Sequence, residues 1–148
     1  MIKSLLEKIL AQNSCIYFPP SAEENVLLTN QQLSELGFAS LPPDFTVLLS
    51  VCDGFYYDGL EILGVKPHPR PVKNYIFAGL AEVNRPFAEY AFFKGKVIIG
   101  RMSENIIVYD DVNKLFAIID RVNLCSQVEF SDFGSLLASL LRLCDIEN

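Results

Sequence analysis

The sequence lacks tryptophan, has a single histidine and has few positive charges relative to negative ones. Among its 148 residues, 12 lysines and arginines stand against 18 aspartates and glutamates, which gives a net charge of −6. An acidic surface repels phosphate, so we expect neither a nucleic acid nor an anionic membrane as a partner. No apolar run approaches the roughly 18–20 residues of a membrane span. Glu7 and Lys8 interrupt the apolar N-terminus, which argues against a signal peptide.

The sequence also has few features that would bind a metal or a cofactor or form disulfides. The four cysteines form no Cys-x-x-Cys pair and are Cys15, Cys52, Cys125 and Cys144. Each has apolar neighbours, so we expect reduced structural thiols rather than disulfides or a zinc site. No glycine-rich phosphate loop is present, and we expect no metal and no cofactor. Reduced cysteines without a signal peptide favour a cytoplasmic location.

The residues that could carry catalysis have simpler interpretations. His68 lies in a proline-rich loop and is expected to be solvated, and no Gly-x-Ser-x-Gly elbow positions a serine. Several carboxylates could work as a general acid and base, namely Asp53, Asp58, Glu61, Glu104, Asp110 and Asp111. Caps and turns explain such residues equally well, because Asp accepts local backbone hydrogen bonds there. The other interpretation is an acidic rim that meets a basic partner.

Helical periodicity predicts a helix at each end of the chain. Apolar residues at i, i+3, i+4, i+7 and i+8 predict an N-terminal helix within residues 1–12. A similar stripe from Phe133 to Cys144 predicts a closing helix, with Ser131 as its N-cap. Both helices have one apolar face, which predicts that they pack on a common core.

A third helix is predicted near the middle of the chain. Pro42 and Pro43 suit a first helical turn, and Asp44 favours the positive end of the helix dipole. Phe45 begins an apolar stripe that continues to Cys52. Gly54 can take the left-handed conformation that ends such a helix.

The other segments predict an α+β fold. A short helix is predicted over 30–36 with Thr29 as its N-cap, and another within 75–90 that ends near Pro86. The predicted strands are 60–63, 97–100, 105–109, 115–120 and 122–130. With no linker or repeat, we expect a single domain over residues 1–148, with a central antiparallel sheet and flanking helices.

The ordered motifs of residues 30–142 resemble those of the SUKH superfamily, the Smi/Knr-like group. Leu41-Pro42-Pro43-Asp44-Phe45, then Leu48-Leu49 and Cys52-Asp53-Gly54, is similar to its "LP-x-D-aromatic … L … N/D-G" segment. Val97-Ile98-Ile99-Gly100 and Glu104–Asp110 resemble its "I-G … G-D-x-I-x-x-D" strands, although Glu104-Asn105 replaces the usual Gly-Asp. Phe130-Ser131-Asp132-Phe133 resembles the start of its closing helix.

The resemblance implies a binding protein rather than an enzyme. Many bacterial members look like immunity proteins that bind and neutralise a toxin, often a nuclease, and fungal relatives act as interaction hubs. The resemblance carries over no catalytic residue. It assigns structural roles to six positions, namely Leu41, Pro42, Asp44, Phe45, Gly54 and Gly100.

We therefore expect a cytoplasmic immunity protein whose partner is a toxin domain, with a basic nuclease as one candidate. Its predicted contact residues share one edge of the sheet and are Asp53, Tyr56, Tyr57, Asp58, Glu104, Asp110 and Asp111. A regulatory scaffold module and a small carboxylate-using enzyme are the alternatives. The mean hydropathy of +0.28 indicates either a rich core or an exposed apolar patch, and the latter would fit a homodimer.

Overall fold

The computed structural model describes residues 1–69 and 76–146 of the chain. Its five α-helices are α1 (Ile2–Leu10), α2 (Glu23–Glu35), α3 (Pro43–Val51), α4 (Leu80–Asn84) and α5 (Phe133–Leu143). Its nine strands are β1 (Ile16–Tyr17), β2 (Phe55–Tyr57), β3 (Leu60–Ile62), β4 (His68–Pro69), β5 (Ile76–Phe77), β6 (Lys96–Met102), β7 (Asn105–Asp110), β8 (Leu115–Asp120) and β9 (Ser126–Phe130). Two short 3₁₀ helices lie at Arg85–Phe87 and Ala91–Phe93.

Seven strands form one antiparallel sheet in the order β1-β2-β3-β6-β7-β8-β9. Strands β4 and β5 pair separately as a small second sheet. This architecture confirms the predicted α+β fold with a central antiparallel sheet. No helix in the described ranges combines the length and apolar character needed to cross a bilayer.

The helices α1, α3 and α5 contact one another, and α5 also contacts β9. The aromatic ring of Phe133 packs edge-on against Phe45 of α3 and tilts against Phe116 of β8. All three residues are buried. These contacts join the predicted apolar faces into one core and confirm the helices predicted at the two ends and in the middle of the chain.

The second helix is longer than its sequence pattern predicts. It begins at Glu23 instead of residue 30, and Ala22 occupies the N-cap position. Thr29 therefore lies inside the helix, where it is buried, and does not cap it. The first turns were missed because Leu27 and Leu28 are exposed, so they break the apolar stripe that usually reveals a helix.

Two other segments differ in extent from their predictions. Within residues 76–90, only α4 is α-helical, and a 3₁₀ turn follows it at Arg85–Phe87, because Pro86 cannot donate the next helical hydrogen bond. Strand β9 begins at Ser126 and not at residue 122. Asp120 accepts hydrogen bonds from the amides of Val122 and Asn123, which closes a turn there instead of extending the strand.

The N-cap of α5 is Asp132 and not the predicted Ser131. Its Oδ1 accepts a hydrogen bond from the Ser135 amide at 2.8 Å, and its Oδ2 accepts one from the Ser135 hydroxyl at 2.9 Å. These two hydrogen bonds hold the pKa of Asp132 below its usual value. A lowered pKa means that the carboxylate stabilises the folded state above the unfolded pKa, and that this stabilisation disappears as the pH falls through the folded pKa.

Replacing Asp132 by alanine is expected to lower the free energy of unfolding by about 1 kcal/mol at neutral pH. The difference from the wild type should shrink as the pH falls below about 4, the ordinary aspartate value. Urea unfolding measured across this pH range checks the expectation. Asp132→Asn is the matched control, since asparagine also caps helices but does not titrate; a loss independent of pH would contradict the role of the carboxylate.

Candidate functional site

The most connected polar residue in the described chain is Asp53, which lies between α3 and β2 and is 3% exposed. Its Oδ1 accepts hydrogen bonds from the Ser21 hydroxyl at 2.6 Å and the Val65 amide at 2.7 Å. Its Oδ2 is 3.2 Å from the Lys66 amide nitrogen and 2.7 Å from His68 Nε2. One carboxylate thus joins three separate segments of the chain, and all of its acceptor capacity is used.

His68 is not solvated as the proline-rich loop predicts. Its side chain is 20% exposed and faces the Asp53 carboxylate. Its ring also stacks on Phe18, with ring centroids 4.0 Å apart and an interplanar angle of 5°. The prediction was wrong because both partners are distant in sequence, so no local pattern around His68 reveals them.

Two glycines allow the backbone to close around Asp53. Gly54 has φ +83°, and a Cβ on it would lie 2.6 Å from the Ile62 carbonyl oxygen and 2.7 Å from the Gly64 amide nitrogen. A Cβ on Gly64 would collide with the carbonyl oxygen of Asp53. Gly54 does take the left-handed conformation, but α3 already ends at Val51 through an extended Cys52. Gly54 therefore allows the backbone of residues 62–64 to approach closely, whereas the residues before it end the helix.

The arrangement around Asp53 differs from that of a nucleophilic triad. In a triad the histidine lies between the serine and the carboxylate. Here Ser21 and His68 bind different oxygens of the same carboxylate, so the histidine is not paired with the serine hydroxyl. The cavity beside them has a volume of about 10 Å³, which suits at most a single water. This geometry suits a cluster that fixes loops better than it suits a reaction site. We call Asp53 together with its partners Ser21, Val65, Lys66 and His68 the Asp53 clasp.

The cysteines offer no activated nucleophile at this site. All four are free thiols. Burial raises the pKa of Cys15 to about 11 and that of Cys52 to about 12, so both remain protonated near neutral pH. Cys125 is exposed, which differs from the expectation of apolar surroundings for each cysteine. Among residues 1–69 and 76–146, no group of histidine, cysteine and carboxylate side chains could hold a metal ion.

The predicted contact residues fall at two opposite ends of the sheet. Asp58 forms the β2–β3 turn together with Gly59, and Glu104 lies in the β6–β7 turn. The two turns are at the same end, because Leu60 pairs with Met102 just inside them. Both carboxylates are exposed. Neither forms an ion pair with any residue of the described chain.

Tyr56 and Tyr57 are half-buried on β2, next to the short edge strand β1. The ring of Tyr56 packs against Phe77, with centroids 5.6 Å apart. Tyr57 packs against the main hydrophobic core. Much of both aromatic side chains therefore contributes to folding, and only their exposed parts are accessible to a partner.

Asp110 and Asp111 lie at the other end of the sheet, where Asp110 ends β7 and Asp111 begins the β7–β8 turn. Asp110 is buried and accepts hydrogen bonds from the amides of Val112 and Asn113, as its turn position predicts. Asp111 is exposed but is paired with Lys114 at 2.7 Å. Hydrogen bonds from Lys114 and Tyr109 lower the pKa of Asp111. The carboxylates of Asp110 and Asp111 are therefore largely compensated by hydrogen bonds and by Lys114 within the protein.

Glu61 and Gly100 have structural roles in the middle of the sheet. The Glu61 carboxylate is 2.9 Å from the Arg101 guanidinium of the neighbouring strand. A Cβ on Gly100 would lie 2.8 Å from the Glu61 carbonyl oxygen, and the β6–β7 register shifts next to it. The close approach and the register shift give Gly100 a structural role, as the resemblance implies.

We define the hairpin-turn end as turns 58–59, 103–104 and 121–125 together with residues 143–145. The Arg121 amide donates to the Glu104 carbonyl at 2.9 Å, which joins two of the turns. Burial, and then the negative charges of Asp58 and Asp145, raise the pKa of Cys144. Helix α5 begins just after β9 and contacts that strand, so its last residues run back towards this end of the sheet. Val122 and Leu143 are 86% and 61% exposed. Neither was predicted to be a contact residue, because Val122 falls within a predicted strand and Leu143 within the predicted closing helix.

Comparisons with known proteins add no relative. No protein-family model matches this chain, and no curated protein matches it either. The resemblance to the SUKH superfamily therefore stays a prediction from the order of its sequence motifs.

Proposed function

We propose that the protein is a non-enzymatic binding protein of the immunity type, which binds and neutralises a cognate toxin domain. The observation that carries this proposal is the composition of the hairpin-turn end. The exposed carboxylates of Asp58 and Glu104, which form no ion pair within residues 1–69 and 76–146, lie there with the exposed apolar side chains of Val122 and Leu143. Apolar contacts inside a polar rim are typical of protein interfaces.

The charge of this surface favours a basic partner. Asp58, Glu104 and Asp145 contribute three carboxylates, against the single guanidinium group of Arg121. The whole chain has a net charge of −6, so its long-range field has the same sign. Such a surface accelerates encounter with a positively charged protein, and this effect weakens with salt. A nuclease toxin fits, because its phosphate-binding cleft is basic.

The double variant Asp58→Asn/Glu104→Gln is expected to weaken partner binding by about tenfold or more. Wild-type and variant proteins are used to capture partners from the source cells, and captured proteins are compared by quantitative mass spectrometry at low and high salt. Asp44→Asn/Asp111→Asn is the matched control, because it removes two negative charges away from the hairpin-turn end. Equal loss in both variants would contradict a contact at this end.

Neutralisation is tested on the partner that the wild type captures and the variant loses. Its expression alone should arrest growth, and co-expression with the wild type should restore growth. The Asp58→Asn/Glu104→Gln variant should restore it less well than the control variant. A captured housekeeping protein that does not arrest growth would contradict the immunity function and indicate a regulatory scaffold instead.

A further inference from the structure

A second surface feature, away from the hairpin-turn end, is a cavity of about 330 Å³ beside α2 and α4. This volume lies within the range of about 300–1,000 Å³ that small-molecule sites occupy. The charged and polar residues that line it are Asn25, Thr29, Gln32, Lys66, Glu82 and Arg85. The polar residues of α2 are spaced i, i+4 and i+7, so they lie on one face of the helix.

Thr29 contributes a hydroxyl to the wall of this cavity. The residue is 4% exposed, and its hydroxyl forms no hydrogen bond with the described residues. No fully enclosed polar side-chain atom in the described chain lacks a partner, so the hydroxyl keeps contact with the cavity. It is therefore free to donate a hydrogen bond to a ligand there and to accept one from it.

The charges around the cavity select the kind of ligand. Lys66 and Arg85 form no ion pair within the described chain, and Glu82 is the only acidic residue in the lining. The Glu82 carboxylate is turned towards Gly79, since both of its oxygens lie 3.3 Å from the position of a Cβ on that glycine. Two unpaired cations are thus available in a protein whose net charge is −6.

The Asp53 clasp fixes one side of this cavity. Asp53 accepts hydrogen bonds from the amides of Val65 and Lys66, and both of these residues line the cavity. The Gly64 carbonyl accepts a hydrogen bond from the Leu80 amide at 2.8 Å, which ties the start of α4 to the same loop. The backbone that carries Lys66 is therefore ordered before any ligand binds, which reduces the entropy cost of binding.

We propose that this cavity binds a small organic anion. Its carboxylate or phosphate group lies between the Lys66 ammonium and the Arg85 guanidinium, both of which suit anionic oxygens. Its neutral polar groups form hydrogen bonds with the Thr29 hydroxyl and with the side-chain amides of Asn25 and Gln32. The site is independent of the protein partner proposed above.

The test is a titration of the ¹⁵N-labelled full chain with inorganic phosphate, succinate and succinamide at constant ionic strength. Phosphate, succinate or both should shift the amide resonances of Thr29 and Ala81 in a saturable way, and their relative affinities identify the preferred anionic group. Succinamide, which has the shape of succinate without its charge, should cause no shift. Absence of saturable shifts with both anions would overturn the proposal.

Variants locate the binding. Lys66→Gln and Arg85→Gln should each weaken the better anion by about tenfold, since each removes a charge-assisted contact. Thr29→Val, which keeps the shape of the side chain, should weaken the binding of malate, which is succinate with one added hydroxyl group, by about threefold to tenfold and should weaken the binding of inorganic phosphate less. Arg142→Gln, on α5, is the matched control and should bind as the wild type does. Equal weakening by Arg85→Gln and Arg142→Gln would overturn the assignment.

Discussion

Replacing Asp53 by alanine is expected to lower the free energy of unfolding by about 3–5 kcal/mol, the cost of breaking a buried charged contact by removing one partner. The substitution leaves the Ser21 hydroxyl, the Val65 and Lys66 amides and the His68 ring without their acceptor. Each buried group that loses its only partner costs about 1–3 kcal/mol. Urea unfolding of the wild type and the variant at neutral pH measures the loss.

The matched control is Asp120→Ala. Asp120 also accepts two backbone hydrogen bonds, but only within its own turn at the surface. We therefore expect a much smaller change in the midpoint of unfolding for this variant. Comparable losses of unfolding free energy for Asp53→Ala and Asp120→Ala would show that the burial of Asp53 and its contacts with three segments add no stability. That result would contradict the structural role of the Asp53 clasp.

A double-mutant cycle separates the contact between Asp53 and His68 from the rest of the clasp. The two side chains are 2.7 Å apart, so Asp53→Asn and His68→Gln should show a coupling of about 1–3 kcal/mol. Ser21→Ala is expected to cost about 1 kcal/mol, the usual net value of one hydrogen bond. Additive losses for Asp53 and His68 would mean that the pair does not act as a unit.

The parts of the fold that could be predicted are those with a local signature. Apolar stripes revealed α1, α3 and α5, because each helix buries one face. Apolar runs revealed β3 and β6 to β9, whereas β1 and β2 have only two and three residues and were missed. The start of α2 was missed because Leu27 and Leu28 face outwards and dilute its pattern. The N-cap of α5 was placed one residue early, since Ser131 and Asp132 are both good capping residues. Only the position of the Ser135 amide distinguishes them.

The candidate sites depend on contacts that no local pattern encodes. His68 was expected in solvent, yet its partner Asp53 is 15 residues away in the sequence, and its stacking partner Phe18 is more distant still. The predicted contact set was divided because Asp58 and Asp111 occupy turns at opposite ends of antiparallel strands. The order and direction of the strands decide at which end of the sheet each turn lies, and the alternation of apolar and polar residues does not specify that order.

Gly54 and Gly59 give a test of close backbone approach, because their conformations match and their surroundings differ. Both glycines have a positive φ, +83° and +85°. A Cβ on Gly59 would meet nothing within 4 Å, whereas one on Gly54 would lie 2.6 Å from the Ile62 carbonyl oxygen. Gly59→Ala therefore carries only the cost of a left-handed alanine, about 1–2 kcal/mol.

Gly54→Ala is expected to lower the free energy of unfolding by about 2–5 kcal/mol, because forcing the backbone apart adds about 1–3 kcal/mol to the left-handed strain of about 1–2 kcal/mol. Urea unfolding of the two variants measures the difference directly. The loss of unfolding free energy for Gly54→Ala beyond that for Gly59→Ala should be smaller when Asp53 is also replaced by alanine. The loop that carries Gly64 is then less tightly held against residue 54. Equal losses at the two glycines would mean that the loop yields freely, and that the clasp around Asp53 is not rigid.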